Sequence, residues 1–128
     1  MRHDILTDVM IIINNAENIG KKNCMVPVSK LVKTTLDILK DKNYIGEFEL
    51  VEKGVNKWYK ITMLGKINKS QAIRPRFSVK SKNIEKWEQR FLPSVNFGIL
   101  VISTPQGLLT QNEMKKQNIG GRLLAYVY

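Results

Sequence analysis

Apolar positions along the chain follow two periods, and each period predicts its own elements. Near the start, Ile5, Val9, Ile12, Ile13 and Ala16 recur at the three-and-four spacing of a helix, with Asp4 placed to cap it and Gly20 to end it. Cys24 to Val28 reads as a short strand. Ser29 suits the N-cap of a second helix whose buried face would be Leu31, Thr35, Ile38 and Leu39, and Asn43 suits a left-handed stop. Tyr44 to Val51 and Lys57 to Leu64 are strand-like, with Lys53-Gly54 between them. Helix, strand, helix, strand, strand is the order of a first α/β half, residues 1–65.

Gly65 to Gln71 is polar and reads as a connecting loop. Beyond it, Ile73, Pro75, Phe77 and Val79 alternate with Arg74, Arg76, Ser78 and Lys80, which predicts a half-buried strand. Pro75 has no amide donor, so that strand should lie at an edge or carry a bulge. Asn83 suits the cap of a short helix with Ile84, Trp87 and Phe91 inward, stopped by Pro93. Phe97 to Ile102 reads as a buried strand. Thr110-Gln111-Asn112-Glu113 is a capping box, and Leu109 with Met114 fits the accompanying staple. Gly120-Gly121 breaks that helix, and Leu123 to Tyr128 is a last strand. Trp58, Phe77, Trp87, Phe91 and Phe97 fit core positions rather than a stacking platform. The second half, residues 66–128, is thus strand-dominated with two short helices, and the fold class is α/β in the α+β sense.

Composition adds three things. A hydrophobic share of 43% in 128 residues suffices for a core, and no run of about 18 apolar residues suggests a membrane span, so the expectation is cytosolic. Cys24 is the only cysteine, which rules out an internal disulfide and suits a buried filler. The net charge is +10, and it is unevenly placed: residues 53–90 hold 11 basic and 2 acidic side chains, against 7 and 8 in residues 1–52. A local positive field of that kind favours a polyanion.

Candidate chemistry is that of binding. His3 is the only histidine and sits at the terminus, with no phosphate-cradling glycine loop, HExxH or CxxC anywhere. No enzyme activity, cofactor, metal site or small-molecule substrate is expected. Arg74, Arg76 and Lys80 would form a ladder of phosphate contacts along one strand face, or else a charged edge that resists aggregation. Ser103-Thr104-Pro105-Gln106-Gly107 packs two hydroxyls, a proline and a glycine into a turn. It suits base edges and sugar hydroxyls, or an ordinary strand-to-helix turn. Gly120 and Gly121 are either a helix stop or a place of close backbone approach to a ligand.

Several stretches in order resemble one family. They are Ile13-Asn14-Asn15-Ala16-Glu17, Tyr44-Ile45-Gly46-Glu47-Phe48-Glu49, Gly65-Lys66-Ile67-Asn68-Lys69, Pro75-Arg76-Phe77, Glu85-Lys86-Trp87 with Leu92-Pro93, Phe97-Gly98, and Gly120-Gly121-Arg122 through Tyr126-Val127-Tyr128. Nearly end to end the chain is similar to the universal small-subunit ribosomal protein eight family, called fifteen-a in eukaryotes, and to its archaeal and eukaryotic branch. The resemblance implies an N-terminal half with two helices on a three-stranded sheet and a mainly antiparallel, rRNA-binding C-terminal half. It implies binding to an irregular stem in the central domain of small-subunit rRNA, early in assembly, beside neighbouring small-subunit ribosomal proteins and without self-association. A free RNA-binding regulator acting on a similar mRNA stem is the alternative. The family's Ser-Thr-x-x-Gly loop maps onto Ser103, Thr104 and Gly107, and its glycine pair onto Gly120 and Gly121. Asn14, Asn15, Ser29 and Lys30 are the expected RNA contacts of the N-terminal half. Two departures stand out. Pro105 replaces a usual Ser, which removes a hydroxyl and an amide donor, so one RNA contact should be missing or replaced. Ser70-Gln71 replaces a frequent Cys-Gly, which argues against a positive-φ turn there.

Overall fold

The computed structural model describes residues 5–73, 76–94 and 97–128, and it divides into two compact units, Met1–Ser70 and Gln71–Tyr128. No helix among the described residues is long and apolar enough to cross a membrane.

The first unit runs α1 (Ile5–Asn18), β1 (Asn23–Pro27), α2 (Lys30–Asp41), β2 (Ile45–Lys53) and β3 (Asn56–Met63). Its antiparallel sheet has the order β1-β3-β2, with Cys24 opposite Ile61 and Ile61 opposite Phe48. The helices pack on this sheet, α1 against β1 and α2 against β2. Local chemistry sets their ends as expected. Gly20 sits at φ +73, with its amide bonded to the Glu17 carbonyl and that of Lys21 to the Ala16 carbonyl. Asn43, at φ +64, closes α2 in the same way: its own amide goes to Lys40 and that of Tyr44 to Leu39. Ser29 Oγ accepts from the Val32 amide at 3.1 Å. Both helices bury part of the expected face, Val9, Ile13 and Ala16 in α1 and Thr35 and Leu39 in α2, and depart from it at the other positions. Leu6 and Met10 replace Ile5 and Ile12 in the core of α1; Val32 and Leu36 replace Leu31 and Ile38 in that of α2. Asp4 lies outside the described residues.

The second unit holds β4 (Ser70–Ala72, starting at the division), β5 (Ser78–Val79), a single 3-10 turn at Ser81–Asn83, α3 (Ile84–Phe91), β6 (Ile99–Thr104), β7 (Gly107–Thr110), α4 (Gln111–Gln117) and β8 (Gly121–Val127). The sheet order is β4-β8-β6-β7, and β5 also pairs with β8. Ile73, Val79, Ile84, Leu100, Ile102 and Met114 lie in its core, with Phe77, Trp87 and Phe91 packed half-buried against it. Glu88 of α3 is buried and ion-paired with Lys115 of α4.

Several expectations for the second half need correcting. The long basic strand is not continuous: β4 and β5 are separate short strands, and Arg76 and Phe77 belong to neither. Arg74 and Pro75 lie outside the described residues. The alternation of burial survives, since Ile73 and Val79 are buried while Arg76, Ser78 and Lys80 are exposed. Gly107 begins a strand, so Ser103 to Gly107 is a hairpin turn and not a strand-to-helix turn. Asn118, at φ +53, ends α4, not Gly120-Gly121. Phe97 is 46% exposed, so it is not a core residue.

Candidate nucleic-acid interface

One end of the second sheet gathers most of the residues singled out from sequence. Strand β6 emerges from the core through Ile102, turns over Pro105 and Gln106, and returns as β7, with Thr104 opposite Gly107. Pro105 presets the backbone at the first corner, and Gly107 adopts φ +107, a region L side chains rarely enter. The Thr104 hydroxyl closes the turn: it donates to the Gly107 carbonyl at 2.7 Å and accepts from the Gln106 amide at 3.1 Å. Ser103, by contrast, is exposed, and its side chain has no partner among the described residues.

Gly120 and Gly121 allow close approach, but to the protein itself. A Cβ on Gly121 would lie inside the contact distance of the Ser103 carbonyl oxygen, and one on Gly120 would lie 2.9 Å from the Val79 carbonyl oxygen. Glycine at 121 therefore lets β8 lie against β6 beside the turn. The Ser81 hydroxyl and the Asn118 side chain bond at 2.6 Å nearby in the chain, holding the 3-10 turn to the end of α4.

A row of three side chains crosses this end. Arg122 of β8 stands opposite Ser103 of β6 on one side and opposite Ser78 of β5 on the other. Adjacent strands lie about 4.8 Å apart, so the guanidinium stems from between two hydroxyls. All three residues are exposed, and no carboxylate among the described residues pairs with Arg122. Lys80 shares that face by alternation, two residues on from Ser78. An unpaired guanidinium flanked by hydroxyls matches a phosphate or sugar edge. Sequence reasoning does not single out Arg122 and Ser78 as candidates, because cross-strand register brings them together and register is not written locally. The one available signal was a cation directly after a glycine pair.

In the first unit the expected residues divide by duty. Asn14 Oδ1 accepts from the Ser70 amide at 3.2 Å, and Glu17, one turn on, accepts from the Ile67 amide at 2.9 Å. Together they fasten the segment 66–70 to α1. Ser70 also donates its hydroxyl to the Met10 carbonyl, and neither Ser70 nor Gln71 has positive φ, consistent with their place in β4. Ser29 Oγ is occupied as a helix cap, whereas Asn15 and Lys30 are exposed. Asn15 lines a shallow groove with Lys21 and Lys22. Cys24 is buried against Met63 Sδ, and burial pushes its thiol up to about 11, so it stays protonated and inert at neutral pH.

Comparison with known proteins covers nearly the whole chain. The family profile described as ribosomal protein S8 matches residues 4–128. The small ribosomal subunit protein uS8 of Methanococcoides burtonii is 46% identical over 126 residues, which cover 98% of this chain and 97% of that relative.

Proposed function

We propose, from the premise that this chain belongs to the ribosomal protein S8 family, that it is a structural protein of the small ribosomal subunit whose second unit grips an irregular stem of small-subunit rRNA. One observation carries this reading: the Ser103–Gly107 turn and the Ser78, Arg122, Ser103 row converge at one end of one sheet, exposed and free of acidic partners among the described residues. Lysines and arginines draw the protein to RNA by counterion release, which supplies affinity without sequence. Specificity then rests on shape and on hydroxyl contacts, because the major groove of A-form RNA is too deep and narrow for side chains to read. A rigid turn backed by β8 fits only some RNA conformers, and binding shifts the population toward those. That is how such a protein promotes subunit assembly without catalysing a reaction. Asn15 and Lys30 give the first unit its own, weaker RNA contact.

Chemical footprinting of small-subunit rRNA with and without the protein tests this. Protection should fall on both strands of one irregular stem in the central domain. Uniform protection scattered along the RNA would overturn the reading. Sedimentation with the light fractions rather than with small subunits would favour a free regulator.

A further inference from the structure

We infer that a groove beside β5 holds a single unpaired ribonucleotide, an inference that rests on the proposed RNA binding and adds a base-reading contact to it. The groove has a volume of about 570 Å³ and is lined by Ser78, Lys80, Asn83, Lys86, Trp87 and Gly121. That volume is in the range of sites that take small organic groups. The chain builds it simply. Among the described residues strand β5 pairs with β8 alone, on one edge. The 3-10 turn then feeds α3, and Asn83, Lys86 and Trp87 share one helical face at the three-and-four spacing.

Its polar groups are unspent. Asn83 occupies the N-cap position of α3, yet its side chain makes no capping hydrogen bond. Lys80 and Lys86 have no acidic partner among the described residues, and no carboxylate lines the groove. The Ser78 hydroxyl and the Trp87 indole N–H likewise have no hydrogen-bond partner among the described residues. Trp87 is stacked on Phe77 at 4.8 Å and on Phe91 at 6.2 Å, so its ring is held in place and its edge is what it can offer.

Those groups suit a nucleotide better than a bare phosphate. Two ammonium groups suit the backbone. A side-chain amide donates and accepts at once, which matches a base edge, and the indole adds a donor. Ser78 also belongs to the row with Arg122, so the RNA backbone can run from that row into the groove. A base inside a duplex cannot enter, whereas an irregular stem has unpaired bases that can be splayed out.

The test is a binding cycle on synthetic RNA. Fluorescence anisotropy would compare an irregular stem, a fully paired version, and copies in which each unpaired nucleotide in turn lacks its base. Each would be titrated with the native chain and with the double variant Asn83→Ala, Lys86→Gln; both positions are exposed, and a thermal melt confirms folding. For the native chain, one abasic copy should bind about tenfold more weakly than the intact stem; the variant should lose about as much on the intact stem and show no further loss on that copy. Undiminished binding by the variant, or an abasic loss that persists in it unchanged, would overturn the inference. Failure of the native chain to prefer the irregular stem over the paired one would instead sink the RNA reading beneath it.

Discussion

The hydroxyl of Thr104 donates to the carbonyl of Gly107 at 2.7 Å, so the only proton it can offer is already used inside the turn. Thr104 thereby shapes the loop, and Ser103 is left as the hydroxyl that faces outward. Thr104→Ala removes two hydrogen bonds and should cost about 1–2 kcal/mol of stability at most. Exchange of the Gln106 amide should accelerate, and RNA affinity should fall with it, while Thr104→Ser keeps both. Amide exchange by NMR decides the matter: unchanged protection at Gln106 in the alanine variant would remove the bracing role.

Ser103→Ala should behave in the opposite way. Its side chain has no hydrogen-bond partner among the described residues, so the melting temperature should stay put while stem affinity drops several-fold, the scale of one hydrogen bond. Equal affinity of the variant and the native chain for the irregular stem would exclude Ser103 from the interface.

Arg122→Gln should weaken binding to every RNA sequence about equally. The slope of log affinity against log salt should fall by roughly one. A salt titration reads this directly, and an unaltered slope would mean that Arg122 does not meet phosphate.

Gly121→Ala places a methyl against the Ser103 carbonyl, Ile102 and Thr104. Backbone cannot yield there without parting β8 from β6, so the expected loss is about 2–4 kcal/mol, seen as a lower urea midpoint. Gly54→Ala has open space and only its φ of +60 to strain, so its cost should be nearer 1 kcal/mol.

Cys24 gives a pH signature. Its folded thiol is held up to about 11 from a reference value of 9.0, so the fold binds that proton more tightly than the unfolded chain does. The contribution is complete below pH 9 and is lost as pH rises through the folded value. Urea midpoints at pH 8 and pH 10.5 should therefore differ more for the native chain than for Cys24→Ala. At neutral pH a thiol reagent should label Cys24 only as fast as the chain opens.

What could be read in advance depended on how local the cause was. Gly20, Ser29 and Asn43 were legible because a cap is decided within a turn of the helix it closes. The buried faces were legible only in part, because α1 carries Ile5, Leu6, Val9, Met10, Ile11, Ile12 and Ile13, and so many apolar positions leave neighbouring faces open to burial. Packing on β1 chose Leu6, Val9, Met10 and Ile13. Strand β7 escaped notice because Leu108 and Leu109 stand just ahead of a capping box. That box also differs from expectation: Thr110 Oγ1 bonds Glu113 Oε1 at 3.0 Å rather than capping a backbone amide. Of the candidate site, the turn and the glycines were visible as motifs. The Ser78, Arg122, Ser103 row was not, since it exists only once three strands are in register.

Pro105 has no amide hydrogen, and the amide of Gln106 points inward to Thr104. The two corner residues of the turn consequently show a visitor carbonyl oxygens and no backbone donor. A visitor that hydrogen-bonds to the main chain there must bring its own proton, as a ribose hydroxyl or the exocyclic amine of a base can and a phosphate oxygen cannot, so the exposed Gln106 carboxamide is the donor those two residues offer. The main chain of two consecutive residues thus only accepts, and any donor to an anion at this end must come from a side chain, Gln106 at the corner or Arg122 on the strand behind it.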